Sequence, residues 1–130
     1  MENTKNIEVV KRTERGWGGH YCRTNRCLFK RNTLLEHKNI KIVVSTVGGM
    51  VNIEQTKFEK ISTGRYYETM CFHSLEEDDT YHDADVSKQV FFESNWKIET
   101  IIDAVDNKAN DMHETVVAEI SNNLLKGIYA

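Results

Sequence analysis

An arginine-rich segment with interspersed aromatic residues is the part of this 130-residue chain whose types and spacing most suggest chemistry. Five of the six arginines lie between residues 12 and 31, where Gly16-Trp17-Gly18-Gly19 places an aromatic ring beside glycines. A guanidinium group binds phosphate through two parallel hydrogen bonds, and aromatic rings stack on bases. Glycine lets a ligand approach the backbone closely. The segment therefore predicts a site for a phosphate-containing aromatic ligand. The predicted ligand-binding residues are Arg15, Trp17, His20, Tyr21, Arg23, Arg26 and Arg31, with Arg65 and Tyr66 from a later Arg-Tyr-Tyr sequence.

The charge distribution allows a second interpretation of the same segment. The first 65 residues carry 13 Lys and Arg against 6 Asp and Glu, whereas the last 65 carry 4 against 14. The net charge of −3 therefore conceals two oppositely charged halves. They indicate a basic ligand-binding surface, electrostatic pairing between subunits, or a fold whose acidic half neutralises its basic half. The run from Gly16 to Gly19 does not have the spacing of a P-loop or a dinucleotide-binding loop.

A second group of residues could hold a metal ion. His73, His82, Asp83 and Asp85 would approach one another if the strands that carry them pair as a hairpin. Histidine with carboxylates suits Mn²⁺, Fe²⁺ or Zn²⁺, as in a metal-dependent hydrolase or nuclease. No metallohydrolase motif accompanies these residues, and strand alternation sends His82 and Asp83 to opposite faces. The sequence therefore assigns no metal ligand, no catalytic residue and no cofactor, and keeps the hydrolase as an alternative.

The cysteines and His113 are expected to be structural. Cys22, Cys27 and Cys71 lack the second cysteine pair of a zinc site, so they are expected to be buried thiols in a reducing cytosol. His113 lies early in the predicted C-terminal helix and is interpreted as a surface or packing residue rather than a general base.

Strands followed by a helix are expected to position these residues. Residues 40–47 are the clearest strand because they are rich in β-branched side chains, and Gly48-Gly49 is predicted to end it. The connector 50–63 has no clear pattern. Further strands are predicted over about 7–13, 26–35, 64–73, 81–86 and 88–92.

The C-terminal segment changes to helical spacing. Its apolar positions are Met112, Val116, Val117, Ile120, Leu124 and Leu125. Asn110 or Asp111 is the predicted N-cap and Gly127 the predicted stop. The fold class that follows is α+β, an antiparallel β-sheet packed by a C-terminal α-helix. Residues 7–130 are predicted to form this single domain, with a disordered N-terminus over residues 1–6.

Six strings of residues carry a resemblance to a known family. They are Glu14-Arg15-Gly16-Trp17-Gly18-Gly19-His20, Arg26-Cys27, Arg31-Asn32-Thr33-Leu34-Leu35, Val43-Val44-Ser45-Thr46-Val47-Gly48, Arg65-Tyr66-Tyr67-Glu68-Thr69-Met70 and Asp83-Ala84-Asp85-Val86-Ser87. With them, about residues 7–126 resemble small phage and mobile-element proteins. In size and layout the chain looks like the phage anti-defence sponges of the Thoeris anti-defence type. The resemblance implies an oligomer that binds a cyclic ADP-ribose isomer or a cyclic oligonucleotide without degrading it.

The residues and the resemblance together predict a non-enzymatic protein that sequesters a cyclic nucleotide signal for immune evasion. Its expected partners are the small nucleotide ligand and further copies of itself, in the host cytoplasm. No run approaches the ~18 apolar residues of a membrane span, and no apolar signal core follows Met1. A nucleic-acid-binding regulator is the other alternative, although a pI near 5.9 argues against it.

Overall fold

The computed structural model describes residues 9–15, 26–54, 56–61, 66–74, 84–92 and 105–129, with backbone alone for 84–88, 91–92 and 105–106. This part of the chain forms a six-stranded antiparallel sheet and one C-terminal helix packed against it, which confirms the predicted α+β class. The elements in order are β1 (Lys11–Arg15), β2 (Cys27–His37), β3 (Ile40–Val51), β4 (Phe58–Glu59), β5 (Tyr67–Ser74), β6 (Ala84–Phe92) and α1 (Val105–Leu125).

The sheet is an antiparallel meander in which most strands pair with their neighbours in sequence. The strand order is β1-β2-β3-β5-β6, and the short β4 pairs with the end of β3. A two-residue turn at Lys38-Asn39 joins β2 to β3, so the register runs from the pair His37 and Ile40 to the pair Cys27 and Met50. Such a local hairpin needs little loop-closure entropy, which favours this topology.

The prediction that Gly48-Gly49 ends a strand is wrong, because β3 continues through both glycines to Val51. Gly48 lies opposite Phe29 on one side and Tyr67 on the other. The Tyr67 ring covers Gly48 so closely that an added Cβ would lie 2.2 Å from a ring carbon. Gly49 has a φ of +61°, which glycine adopts at little cost. Gly48 therefore gives room to the Tyr67 ring, Gly49 adopts the left-handed φ that β3 requires, and the strand continues through both.

The helix α1 buries one apolar face on the sheet. Val116, Val117, Ile120 and Leu124 pack in one cluster with β2, β3 and β5, and Met112 packs in another beside the Phe29 and Tyr67 rings. The helix therefore runs in the same direction as β2. The predicted N-cap at Asn110 or Asp111 is wrong, because the helix already begins at Val105.

The predicted stop at Gly127 is confirmed. Gly127 has a φ of +72°, and its amide donates to the Leu124 carbonyl while the Ile128 amide donates to the Asn123 carbonyl. These two bonds form a Schellman motif, which uses a left-handed residue to satisfy the last helical carbonyls.

The second face of the sheet is buried as well. Leu34, Val43 and Phe72 form one row across β2, β3 and β5 on the face opposite α1, and each is at most 4% exposed. A sheet that is buried on both sides explains why the central strand β3 shows little polar alternation.

Candidate functional site

The structure describes four of the nine predicted ligand-binding residues, namely Arg15, Arg26, Arg31 and Tyr66. Trp17, His20, Tyr21, Arg23 and Arg65 lie outside the described residues. The four described residues occupy three different places in the fold, and each place has its own chemistry.

Arg15 and Arg31 lie on opposite faces of the sheet. Arg15 is opposite Asn32 in the register, and its Nε and Nη2 donate to Asn32 Oδ1 at 2.9 and 2.6 Å. Arg31 precedes Asn32 in β2, so its side chain extends to the other face, where α1 packs. One small ligand therefore cannot lie directly on both guanidinium groups.

Arg31 is held by carboxylates on the helix-covered face. Its Nε and Nη2 donate to both oxygens of Glu14 at 3.0 and 2.8 Å, and its Nη1 lies 2.8 Å from Glu114 of α1. Arg12 also donates to Glu114, and this bond is the main reason why the pKa of Glu114 lies well below its usual range. The pairs of Arg12 and Arg31 with Glu114 join the basic half to the acidic half, as the neutralisation interpretation expects. Exposed ion pairs stabilise little singly, but this network connects β1, β2 and α1.

A chain of hydrogen bonds leads from this surface network to the centre of the protein. Glu14 accepts a bond from the Thr33 hydroxyl at 2.8 Å, and Thr33 Oγ1 lies 2.7 Å from Nε2 of His113. On the other side of the imidazole, Nδ1 lies 2.7 Å from Thr46 Oγ1, which lies 2.6 Å from Thr69 Oγ1. His113 and the three threonines are fully buried. Of the five residues in this chain of hydrogen bonds, only Glu14 reaches solvent.

The direction of every bond in this chain follows from the first one. The hydrogen bonds from Arg31 and Thr33 outweigh the desolvation of Glu14 and lower its pKa, so Glu14 is a carboxylate that only accepts. Thr33 must then donate to Glu14 and accept from His113 Nε2–H. The neutral imidazole therefore has an unprotonated Nδ1, which accepts from Thr46, and Thr46 in turn accepts from Thr69.

The His113 chain is built to position elements rather than to react with a substrate. Burial lowers the pKa of His113 to about 4, so the ring is neutral near pH 7. With no exposure at His113 or the threonines, a substrate has no access to them. A fully satisfied buried network specifies one arrangement of the elements that it joins, here β1, β2, β3, β5 and α1.

The sequence interpretation placed His113 only as a surface or packing residue, and its hydrogen-bonded role was missed. A usable signal exists, because His113 lies three, four and seven residues before the buried Val116, Val117 and Ile120. This spacing places it on the apolar stripe of the helix. A histidine at such a position needs polar partners on the facing strands.

Arg26 and Tyr66 lie at the same end of the sheet, on either side of β3. Arg26 precedes β2, and the Tyr66 carbonyl accepts a bond from the Gly49 amide in the adjoining part of β3. The ammonium group of Lys60 lies 5.8 Å from the centre of the Tyr66 ring. Arg26 Nη2 forms an ion pair with Glu59 at 3.6 Å and donates to Met50 Sδ at 3.9 Å. A guanidinium has five N–H donors, so further donors of Arg26 can take an anion. We call Arg26, Lys60 and Tyr66 the Arg26 surface.

The other predicted groups are described only in part. Cys27 and Cys71 are buried free thiols, as predicted, and desolvation raises the pKa of each, whereas Cys22 lies outside the described residues. High thiol pKa values leave little reactive thiolate. Of the His73 group, His82 and Asp83 also lie outside the described residues, as does the side chain of Asp85. The His73 ring meets the Tyr129 ring edge to face.

Within the described ranges, no three or more His, Cys, Asp or Glu side chains gather as a metal site would require. Nor is any helix in those ranges long and apolar enough to cross a bilayer. Comparison of the chain with protein-family models, with curated proteins and with solved structures gave no match. The residues themselves therefore carry what can be said about function.

Proposed function

We propose that this protein binds and sequesters a small nucleotide signal, such as a cyclic ADP-ribose isomer or a cyclic oligonucleotide, without converting it. The ligand would lie on the Arg26 surface. Arg26 would bind a phosphate group through two parallel N–H bonds, and the Tyr66 ring would stack on a base. Immune evasion of the phage type would follow from removing the signal from solution.

The observations that carry this proposal are the placement of the Lys60 ammonium over the Tyr66 ring and of Arg26 against Glu59, the residue before Lys60. They combine two cations with a half-exposed aromatic ring, which are the groups that a nucleotide needs. Arg31 differs, because all three of its guanidinium nitrogens already bind side chains of the chain. Of the described arginines, Arg26 is therefore the best suited to a ligand.

The remaining predicted residues are joined in sequence to the Arg26 surface. Residues 16–25, which contain Trp17, His20, Tyr21 and Arg23, lead directly into Arg26. Arg65 directly precedes Tyr66. This connectivity supports including these five residues in the proposed site.

Association of copies is part of the proposal. Leu28 is 70% exposed at the start of β2, and Ile53 and Phe58 are 82% and 40% exposed near the end of β3. Large apolar side chains grouped near one end of a sheet favour contact with another subunit. A subunit interface beside the Arg26 surface would also enclose the ligand and slow its release.

A capture-and-release experiment tests the proposal. The protein is incubated with cyclic ADP-ribose isomers, cyclic dinucleotides and linear dinucleotides, with and without Mn²⁺, and free ligand is removed. After heat denaturation, mass spectrometry is expected to recover one intact cyclic ligand in stoichiometric amount. Light scattering is expected to show an oligomer, and a 15.1 kDa monomer would contradict the proposed subunit contact.

Variants locate the binding site. Arg26→Gln is expected to weaken binding about tenfold to a hundredfold, since a charge-assisted hydrogen bond is worth about 1.5–3 kcal/mol. Tyr66→Leu is expected to weaken it similarly, because base stacking contributes about 1–3 kcal/mol. Lys11→Gln on the exposed edge strand β1 is the matched control and is expected to bind normally. A metal-dependent cleavage product would instead support the hydrolase, and strongly salt-dependent binding to duplex nucleic acid the regulator.

A further inference from the structure

A groove of about 490 Å³ lies at the opposite end of the sheet from the Arg26 surface. One wall is the turn between β2 and β3, and the other is the last turn of α1 with the residues that follow it. Its volume is within the range of small-molecule sites. Its lining includes His37, Lys38, Ile40, Leu124, Lys126 and Tyr129.

The floor of the groove is apolar and firmly held. Leu124 is 2% exposed and belongs to the main core cluster, against which Ile40 and Tyr129 also pack. The Tyr129 hydroxyl accepts a 3.0 Å bond from Asn123, and the ring meets His73 edge to face. These contacts fix the ring at two points, so the floor is formed before any ligand arrives and little ordering entropy is lost on binding.

The rim of the groove is cationic. Lys38 and Lys126 are exposed and line opposite walls, and His37 lies beside Lys38. None of the described lining residues is an Asp or a Glu. The end of a helix usually disfavours anions because its carbonyls are unpaired. Here, the Gly127 and Ile128 amides already bond the Leu124 and Asn123 carbonyls, which reduces this effect.

The conformation of Lys38 is a second, independent observation. Lys38 has a φ of +56°, whereas glycine is the usual residue for a left-handed position in a two-residue hairpin turn. A non-glycine residue there costs about 1–2 kcal/mol. Backbone strain of this kind is concentrated at functional positions. The structure thus keeps this costly backbone conformation at the rim of a preformed groove.

We propose that this groove binds a small organic anion with an apolar body, separately from the nucleotide. The anionic head would lie at the lysine rim, and the apolar body would cover Ile40, Leu124 and Tyr129. A medium-chain carboxylate satisfies both requirements, whereas a neutral alcohol of the same length satisfies only the second. The site neither includes nor requires the Arg26 surface.

Decanoate is the probe, with decanol and acetate as comparisons. Isothermal titration of the full chain is expected to show one decanoate site, with decanol at least about tenfold weaker and acetate not bound. Amide resonances of Asn39 and Gly127, which line the groove, are expected to shift, while that of Gly48 stays unchanged. Equal binding of decanoate and decanol, or no binding of decanoate at millimolar concentration, would overturn the proposal.

Two variants separate loss of charge from loss of fold. Lys38→Gly is expected to weaken decanoate binding severalfold while raising the melting temperature, because glycine relieves the strain at φ +56°. Lys126→Gln is expected to weaken binding similarly with little change in stability. Lys57→Gln, directly before β4 at the other end of the sheet, is the matched control and is expected to bind decanoate normally. If both groove variants also bind it normally, the lysines do not form the site.

Discussion

Mild acid is expected to destabilise this protein through His113. Burial lowers the pKa of this imidazole to about 4 in the folded state, whereas an imidazole in an unfolded chain titrates near about 6.5. Between these values the unfolded state binds the extra proton first. The stability that His113 contributes is therefore fully present above about pH 6.5 and declines as the pH falls towards 4. From about pH 7.5 to about pH 5 the loss amounts to about 2 kcal/mol.

The charged groups around His113 titrate outside the pH interval in which the effect of His113 is measured. Arg31 and Arg12 oppose a positive imidazole, while Glu14 and Glu114 favour one. Both carboxylates have lowered pKa values in the folded state. Their own stabilising contribution is therefore lost only below about pH 5, as the unfolded carboxylates begin to bind protons. The interval from about pH 7.5 to about pH 5 thus reports mainly on histidine.

His113→Gln provides the comparison, because glutamine supplies a donor and an acceptor but does not titrate. Urea unfolding followed by circular dichroism at several pH values gives the free energy of unfolding for each protein. The gap between wild type and variant is expected to shrink by about 2 kcal/mol between about pH 7.5 and about pH 5. A gap that stays constant over this interval would refute the assignment of a buried neutral His113.

Three further substitutions test the packing around the site. Gly48→Ala is expected to destabilise the protein by about 1–3 kcal/mol, because its Cβ would collide with the Tyr67 ring, and thermal unfolding measures the loss. Thr46→Val is expected to lower stability by about 1–3 kcal/mol in urea, since it leaves His113 Nδ1 without a donor, and a neutral result would show that this bond is absent. Gly127→Ala is expected to lose about 1–2 kcal/mol through its φ of +72° alone, and amide exchange is expected to accelerate only in the last turn of α1.

The strands were predictable where a physical pattern is local. The β-branched run from Ile40 to Val47 forms the centre of the sheet, and the glycine after α1 ends the helix as its position suggests. The prediction that β3 ends at Gly48 was wrong because the role of this glycine depends on Tyr67, which lies nineteen residues later in the chain. The helix start was misplaced because Asn110 has the chemistry of a cap, while its actual partner is the Arg31 side chain of the sheet.

The polar network could not be predicted because its members are far apart in sequence. Arg12 and Glu114 are separated by 102 residues, and neither carries a local signal for the other. Opposite charge in the two halves indicated that pairing could occur but not which residues would pair. Strand alternation alone was enough to show that Arg31 and Asn32 face opposite sides, yet Arg15 and Arg31 were grouped by residue type rather than by face.

The position of α1 at the C-terminal end has a consequence for synthesis. The six strands of the described residues all precede α1, which begins at Val105, and so leave the ribosome before it. Until then, Leu35, Ile42, Val44 and Cys71 lack the apolar cover that the helix later supplies. A nascent sheet with this surface uncovered can associate with other chains or with a chaperone. Translation of α1 is thus the step that covers this face of the sheet and removes the Thr33 and Thr46 hydroxyls from water.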